Sequence, residues 1–353
     1  MNDVRKTDRR CFLAHGLAGA AGLGLAYTSI EEEILRAAVA EGKAQPASQT
    51  ESVPPATRRP SEPLPGPLPT GKIGNVTISR LIIGGNLIGG WAHSRDLIYV
   101  SRLFREYNTE PKVFETLDLA MACGINTIQL DPACWDVIAK YNRHRNPPIQ
   151  TIVCVPVIQD RAEMKRVIEQ QVERGATCIY SHGGSTDSHF MNGGGLDALA
   201  QMLDLIHETG RPAGIGCHSL EVVKACEQAK LPVDFYMKTF HSDRYWSATP
   251  KERRQEFDWM RGNPSDHDAN NDNMWCNNPE ETAAFMKTVQ KPWLAFKVLA
   301  AGAIHPQQGF AYAFRNGADF IVVGMFDFQI EMDVRLAIEA LNKVGQRERA
   351  WYA

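Results

Sequence analysis

Eight short apolar runs of strand-forming residues, at 81–85, 127–130, 151–157, 177–181, 213–217, 235–240, 293–299 and 320–324, recur at intervals that leave room for helices. Between or after them, 113–123, 161–174, 196–209, 220–229, 279–289, 306–316 and 329–344 carry apolar residues at helical spacing, and 136–145 supplies the remaining helix. Strand alternating with helix eight times, and ending on a helix, predicts one α/β domain, a closed parallel (β/α)8 TIM barrel. The span 72–353 has room for it, since such barrels take on the order of 250 residues.

Two segments precede that span. Residues 1–43 open with Thr7-Asp8-Arg9-Arg10-Cys11-Phe12-Leu13 and continue into the weakly apolar Gly/Ala run 16–26. Paired arginines, an apolar pair and a modest hydrophobic segment in this order resemble a twin-arginine export signal. That resemblance implies the twin-arginine machinery as a partner and a periplasmic or extracytoplasmic, secreted location. Ala38-Val39-Ala40 is the candidate cleavage site, and an uncleaved signal would act as an anchor. Residues 44–71 are rich in Pro, Ser, Thr and Glu, which bury too little apolar surface to offset their ordering entropy, and predict a disordered linker.

Composition narrows the partners. Lys plus Arg number 38 against 41 Asp plus Glu, so no basic field exists to drive counterion release from nucleic acid, and none is expected as a partner. Beyond the first 30 residues no apolar run reaches the roughly 20 residues of a spanning helix. Of eight cysteines, Cys11 lies in the signal and seven remain, an odd number. Cys154, Cys178 and Cys217 sit inside strand-like runs, so mostly free, buried thiols are expected.

Ile78-Ser79-Arg80-Leu81-Ile82-Ile83-Gly84-Gly85, Ala122-Cys123-Gly124-Ile125-Asn126-Thr127, Ile215-Gly216-Cys217-His218-Ser219, Leu294-Ala295-Phe296-Lys297-Val298-Leu299 and Ile321-Val322-Val323-Gly324-Met325 follow one another in the order of the aldo/keto reductase strands, which they resemble. The resemblance implies an oxidoreductase in which a tyrosine gives a proton to a carbonyl as hydride arrives from a nicotinamide dinucleotide. It places Gln129 where that family has Asp, Cys134 where it has Tyr, and no lysine in the third run; a one- or two-residue shift would offer Asp131 and Trp135. His182 alone matches its counterpart, so the tetrad is degenerate. Phe296, Lys297 and Gly324 fall at cofactor-binding positions, while the arginine that reads a 2′-phosphate falls at Phe326.

The residues themselves suggest other chemistry. His182, His218 and His241 end the fourth, fifth and sixth runs and Asp131 ends the second, where a parallel barrel gathers its catalytic groups; together they are a candidate site for a divalent metal. Lys238 and Lys297 are candidate proton-transfer or Schiff-base lysines. Each has a plainer reading, the histidines as partners of loop carbonyls and the lysines as cations reaching solvent. Asn86, His93, Arg95 and Asp96, after the first run, suit a hydroxyl- or carboxylate-bearing small-molecule substrate. The Gly-rich stretch 183–195 reads as a mobile connection, since it lacks the Gly-Lys-Ser/Thr ending of a phosphate loop. Residues 242–278, with Trp246, Trp259 and Trp275, read as a lid or subunit contact. Within them 266–272 alternates Asp and Asn without a calcium loop's glycine or final Glu.

Three functions remain: an exported oxidoreductase of rearranged site acting on a small polar carbonyl or sugar, which the strand order favours; a metal- or lysine-dependent lyase, isomerase or hydrolase acting on a sugar or sugar acid; and a non-catalytic binding barrel. Catalytic roles fall to His182, Asp131 and Lys297. Replacing Arg9 and Arg10 together by Lys should hold the protein in the cytoplasm, as measured by fractionation, because the paired guanidinium groups are what an export receptor reads. Unchanged export would contradict the signal.

Overall fold

The computed structural model describes residues 58–93, 97, 99–260 and 274–353. The export segment, Arg95, Asp96 and the acidic stretch 266–272 lie outside the described residues. An antiparallel hairpin, β1 (Thr70–Ile73) and β2 (Val76–Ser79), leads directly into the barrel. Eight parallel strands follow: β3 (Leu81–Gly84), β4 (Thr127–Leu130), β5 (Gln150–Val155), β6 (Cys178–Ser181), β7 (Ala213–Cys217), β8 (Phe235–Thr239), β9 (Trp293–Phe296) and β10 (Phe320–Val323). They close in the order β10-β3-β4-β5-β6-β7-β8-β9, with Ile321 opposite Leu81 at the seam. The expected (β/α)8 barrel is the fold.

Alternation along each strand sorts the side chains into two environments. Ile82, Ile152, Cys154, Tyr180, Met237, Leu294 and Val322 point into the barrel, where Ile73 and Ile78 of the hairpin join them. Leu81, Ile83, Val153, Ile179, Ile215, Tyr236 and Val323 point outward against the helices. All seven cysteines among the described residues are buried free thiols. No described helix is long and apolar enough to cross a membrane.

Helices occupy every expected interval, from Glu110–Ala122 after β3 to Ile330–Lys343 after β10. Two longer helices depart from the sequence-based expectation. Val100–Tyr107 is an additional helix in the first loop. Gly183–Met191 is a helix where a mobile Gly-rich connection is expected. Its residues are poor helix formers, so its stability comes from tertiary bonds. His182 caps it by accepting from the Ser185 N–H, the Thr186 hydroxyl donates to Ser181 Oγ at 2.8 Å, and Ser185 Oγ accepts from the Val157 N–H at 2.8 Å.

Residues 58–71, the end of the stretch expected to be a linker, lie against the barrel. Arg58 pairs with Asp327 and Glu115, Ser61 bonds Glu331, and Leu68 is buried. At the opposite end of the chain, Asp319 holds Arg347 at 2.8 Å and Arg349 at 2.6 Å in a buried pair of ion bridges, which draws the C-terminal tail under the barrel.

One buried group is uncompensated. Asp333, on the last helix, is 0% exposed, neither carboxylate oxygen has a hydrogen-bond partner, and burial pushes its carboxyl up to about 7. The unfolded chain releases this proton near 4, so stability from this group is full below that value and is lost as pH rises through about 7. Asp333→Asn, which mimics the protonated form, should therefore melt higher than wild type at pH 8, with the gap closing towards pH 4. A gap independent of pH would contradict the burial.

Candidate active site at the barrel mouth

The C-terminal ends of the strands surround one pocket whose space open to water-sized groups is about 40 Å3. Its walls bring together most of the residues expected there: Asn86 and His93 after β3, Asp131 after β4, His182 after β6, His218 after β7, and Phe296 and Lys297 at the end of β9. Lys297 leaves its strand in a left-handed conformation, φ 57°, which costs an L-residue energy and ends β9 three residues earlier than expected. Its ammonium lies 2.6 Å from His93 Nε2, which the Asn86 amide also approaches at 3.2 Å. The same ammonium stands 5.2 Å from the ring centres of both Trp275 and Phe296, within cation–π range. Asp131 accepts from the Ala133 N–H at 2.8 Å and so caps the short turn Pro132–Cys134 beside the pocket.

Several hydrogen bonds at the mouth converge on Asp187, which the sequence-based reading did not single out. It lies on the buried face of helix Gly183–Met191, is 0% exposed, and accepts from the His218 and Ser219 backbone N–H groups and from the Trp259 indole at 2.9 Å. Its Oδ2 stands 2.7 Å from His218 Nδ1. A carboxylate surrounded by N–H groups accepts only, so Nδ1 carries the proton and the Nε2 edge of the imidazole is the one that takes up or releases a proton. Gly183 permits this arrangement: a Cβ there would stand 3.3 Å from His218 Cε1. Trp259 closes the other side with its ring centre 5.6 Å from that of His218.

The proposed metal set does not form. His241 has the correct parity but lies beyond the end of β8, where its Nδ1 bonds the Ser242 carbonyl at 3.0 Å and its Nε2 accepts from the Trp275 N–H at 3.3 Å. His218 Nδ1 is engaged by Asp187 and His182 Nδ1 by the Ser185 N–H. Among the described residues no group of three His, Cys, Asp or Glu side chains could hold a metal ion. Lys238 is likewise not at the mouth. It points outward from β8, is buried, and donates to its neighbour's carbonyl, Thr239 O, at 2.8 Å. Trp135 is also outside the barrel, donating to Gln171 at 2.6 Å.

A second cleft of about 290 Å3 adjoins the mouth over the ends of β9, β10 and β3, sharing Asn86, Trp91, His93, Phe296 and Lys297 with it. Phe296, Lys297 and Gly324, the three positions expected to bind a cofactor, all line it. Aromatic faces and one ammonium fit a nicotinamide ring and a phosphate charge. A 2′-phosphate is not matched by Phe326, whose ring stacks on Phe328 and meets Phe104 and Tyr107 edge-on.

No family model matches the chain and no curated protein matches it in sequence. Solved structures do match its fold. A putative aldo-keto reductase from Pseudomonas aeruginosa superposes with a TM-score of 0.52 at 15% identity, covering 79% of this chain and 99% of that one. The chain is a (β/α)8 barrel distantly similar to aldo-keto reductases. An aldo-keto reductase from Bacillus halodurans gives a TM-score of 0.45 at 12% identity over 79% of this chain and 96% of its own. A truncated 3-deoxy-D-arabino-heptulosonate 7-phosphate synthase from Thermotoga maritima gives 0.42 at 11%, over 78% and 92%. At such identities the likeness concerns the fold, and the chemistry must be argued from the side chains of the barrel itself.

Burial lowers the His241 imidazole to about 4, so it stays neutral in the folded protein near neutrality. An unfolded histidine protonates near 6.5; the stability associated with His241 is therefore full above that pH and is lost as pH falls from about 6.5 to about 4. His241→Gln should flatten the acid side of the stability curve in this window. Retention of the full slope would place the acid sensitivity elsewhere.

Proposed function

We propose that the protein is an enzyme that moves a proton on or off a small hydroxyl-bearing carbonyl compound, a sugar or sugar acid, at the barrel mouth. The observation that carries this is the Asp187–His218 pair: a buried carboxylate 2.7 Å from one ring nitrogen fixes the tautomer of an imidazole that lines the pocket. Lys297, on the wall of the same pocket, supplies the cation that would stabilise an oxygen as it gains negative charge. His182 and Asp131 complete the polar lining. Base and cation in one pocket support a lysine-assisted isomerase or lyase.

A second reading, a hydride-transferring oxidoreductase, is favoured by one observation: Phe296, Lys297 and Gly324 line a cleft that opens onto the mouth. These residues would hold a nicotinamide dinucleotide, which when bound supplies or accepts a hydride. In either case His218 would handle the proton, in place of the tyrosine that the resemblance implies. We also propose, from the Arg9-Arg10 segment, that the enzyme acts outside the cytoplasm.

Incubating the protein in D2O with a panel of aldoses, ketoses and sugar acids, and following carbon-bound protons by NMR, tests the first reading. Deuterium should enter beside the carbonyl of at least one compound, and His218→Asn should slow this by about 100- to 10,000-fold. Absence of exchange, with nicotinamide-dependent turnover of the same panel, would favour the second reading. Absence of both would reject catalysis on these substrates.

A further inference from the structure

We infer that the floor of the mouth is a hydroxyl-binding subsite, in which Gln129 Oε1 accepts a hydrogen bond from the substrate. The inference rests on the mouth being the substrate site, as proposed above, and narrows the substrate to a compound with a hydroxyl near its carbonyl or carboxylate.

Gln129 sits in β4 with inward parity and is 3% exposed. Its amide Nε2 donates to the Tyr180 hydroxyl at 2.9 Å, and Cys154 is buried beside Tyr180 in the inner core of the barrel. All three residues line the mouth. The Tyr180 ring is held in place by the neighbouring strand: a Cβ at Gly216 would stand 2.9 Å from it and 2.3 Å from the Ser181 carbonyl, so a bare backbone is required there. The Gln129–Tyr180 pair thus leaves one end unmatched. Gln129 Oε1 is buried and has no hydrogen-bond partner.

An unsatisfied buried carbonyl lowers stability, a cost that an apolar side chain of the same shape would avoid. The orientation shown leaves Oε1 and one amide N–H over, whereas the opposite orientation would leave both N–H donors over. A donor from outside the protein resolves this, and a hydroxyl is the donor of the right size. The space of about 40 Å3 is a few times the roughly 10–15 Å3 that one water needs, enough for a hydroxymethyl group of an open-chain sugar or sugar acid. Lys297 on the same wall suits the carbonyl or carboxylate oxygen at the other end of such a molecule. A hydroxyl and an oxygen-rich head separated by one or two carbons match this arrangement; a plain aldehyde or fatty acid leaves the floor unsatisfied.

Sodium glycolate and sodium acetate, titrated into the full chain at constant ionic strength and followed by amide chemical shifts, form the simplest probe pair. Glycolate should bind about five- to tenfold more tightly, the effect of one hydrogen bond, and Gln129→Met should bring the ratio close to one. Equal affinities, a preference that survives in Gln129→Met, or no binding of either anion overturns the subsite. The wild-type ratio decides the matter even if Gln129→Met fails to fold. A glycolate preference without deuterium exchange would sink the acid–base reading and leave the subsite standing, whereas exchange without that preference would do the reverse.

Discussion

Closure of the strand ring is the constraint on which everything else rests. Each barrel strand is only four to six residues long, and its backbone N–H and C=O groups need partners on both sides. Pairing β10 with β3 through Ile321–Leu81, Val322–Ile82 and Val323–Ile83 removes the last free edge. Once the ring is closed, side-chain direction along each strand is fixed, and every loop that follows a strand opens on the same end. The hairpin under β3 and the Arg347–Asp319–Arg349 bridges hold the opposite end shut. The mouth can therefore carry energetically costly features, such as the left-handed backbone of Lys297 and the buried carboxylate of Asp187, without loosening the barrel.

Asp187 links fold to chemistry. Its helix is built from residues that favour turns, and it forms because groups of β6 and of the segments just after β5 and β7 satisfy its polar face. The same bonds that hold the helix orient His218. Breaking them would cost stability and catalytic geometry together, which distinguishes this pair from a surface ion pair of little worth. Trp259 extends the coupling to the long loop after β8, because its indole shares the carboxylate with His218.

The barrel was legible because parallel strands buried on both faces must be short, apolar and separated by helices, and all eight runs satisfy that. Strand ends were less legible: β9 stops at Phe296 because Lys297 adopts a conformation that no propensity encodes. Position at the strand ends gathered Asp131, His182, His218 and Lys297 at one pocket, Lys297 through its left-handed backbone rather than by alternation, and it failed for His241, whose ring turns into the packing of Trp275 beyond its strand. Asp187 and Tyr180 escaped notice, and Gln129 was noted only as standing where the resembled family has Asp. Asp187 lies in a stretch whose glycines and hydroxyl residues read as a loop. Gln129 and Tyr180 lie inside strands, where inward parity could have marked a polar residue at the barrel floor as one needing a partner. The β1–β2 hairpin carried a usable signal in Gly74-Asn75 between alternating residues.

The central claim is that Asp187 holds His218 as an acid–base group with its proton on Nδ1. Long-range 1H–15N NMR of the histidine side chains reads that tautomer directly. The account predicts a His218 with a protonated Nδ1 in a strong hydrogen bond, lost in Asp187→Asn. A proton on Nε2 alone in the wild type, or a His218 signal unchanged by Asp187→Asn, would contradict it.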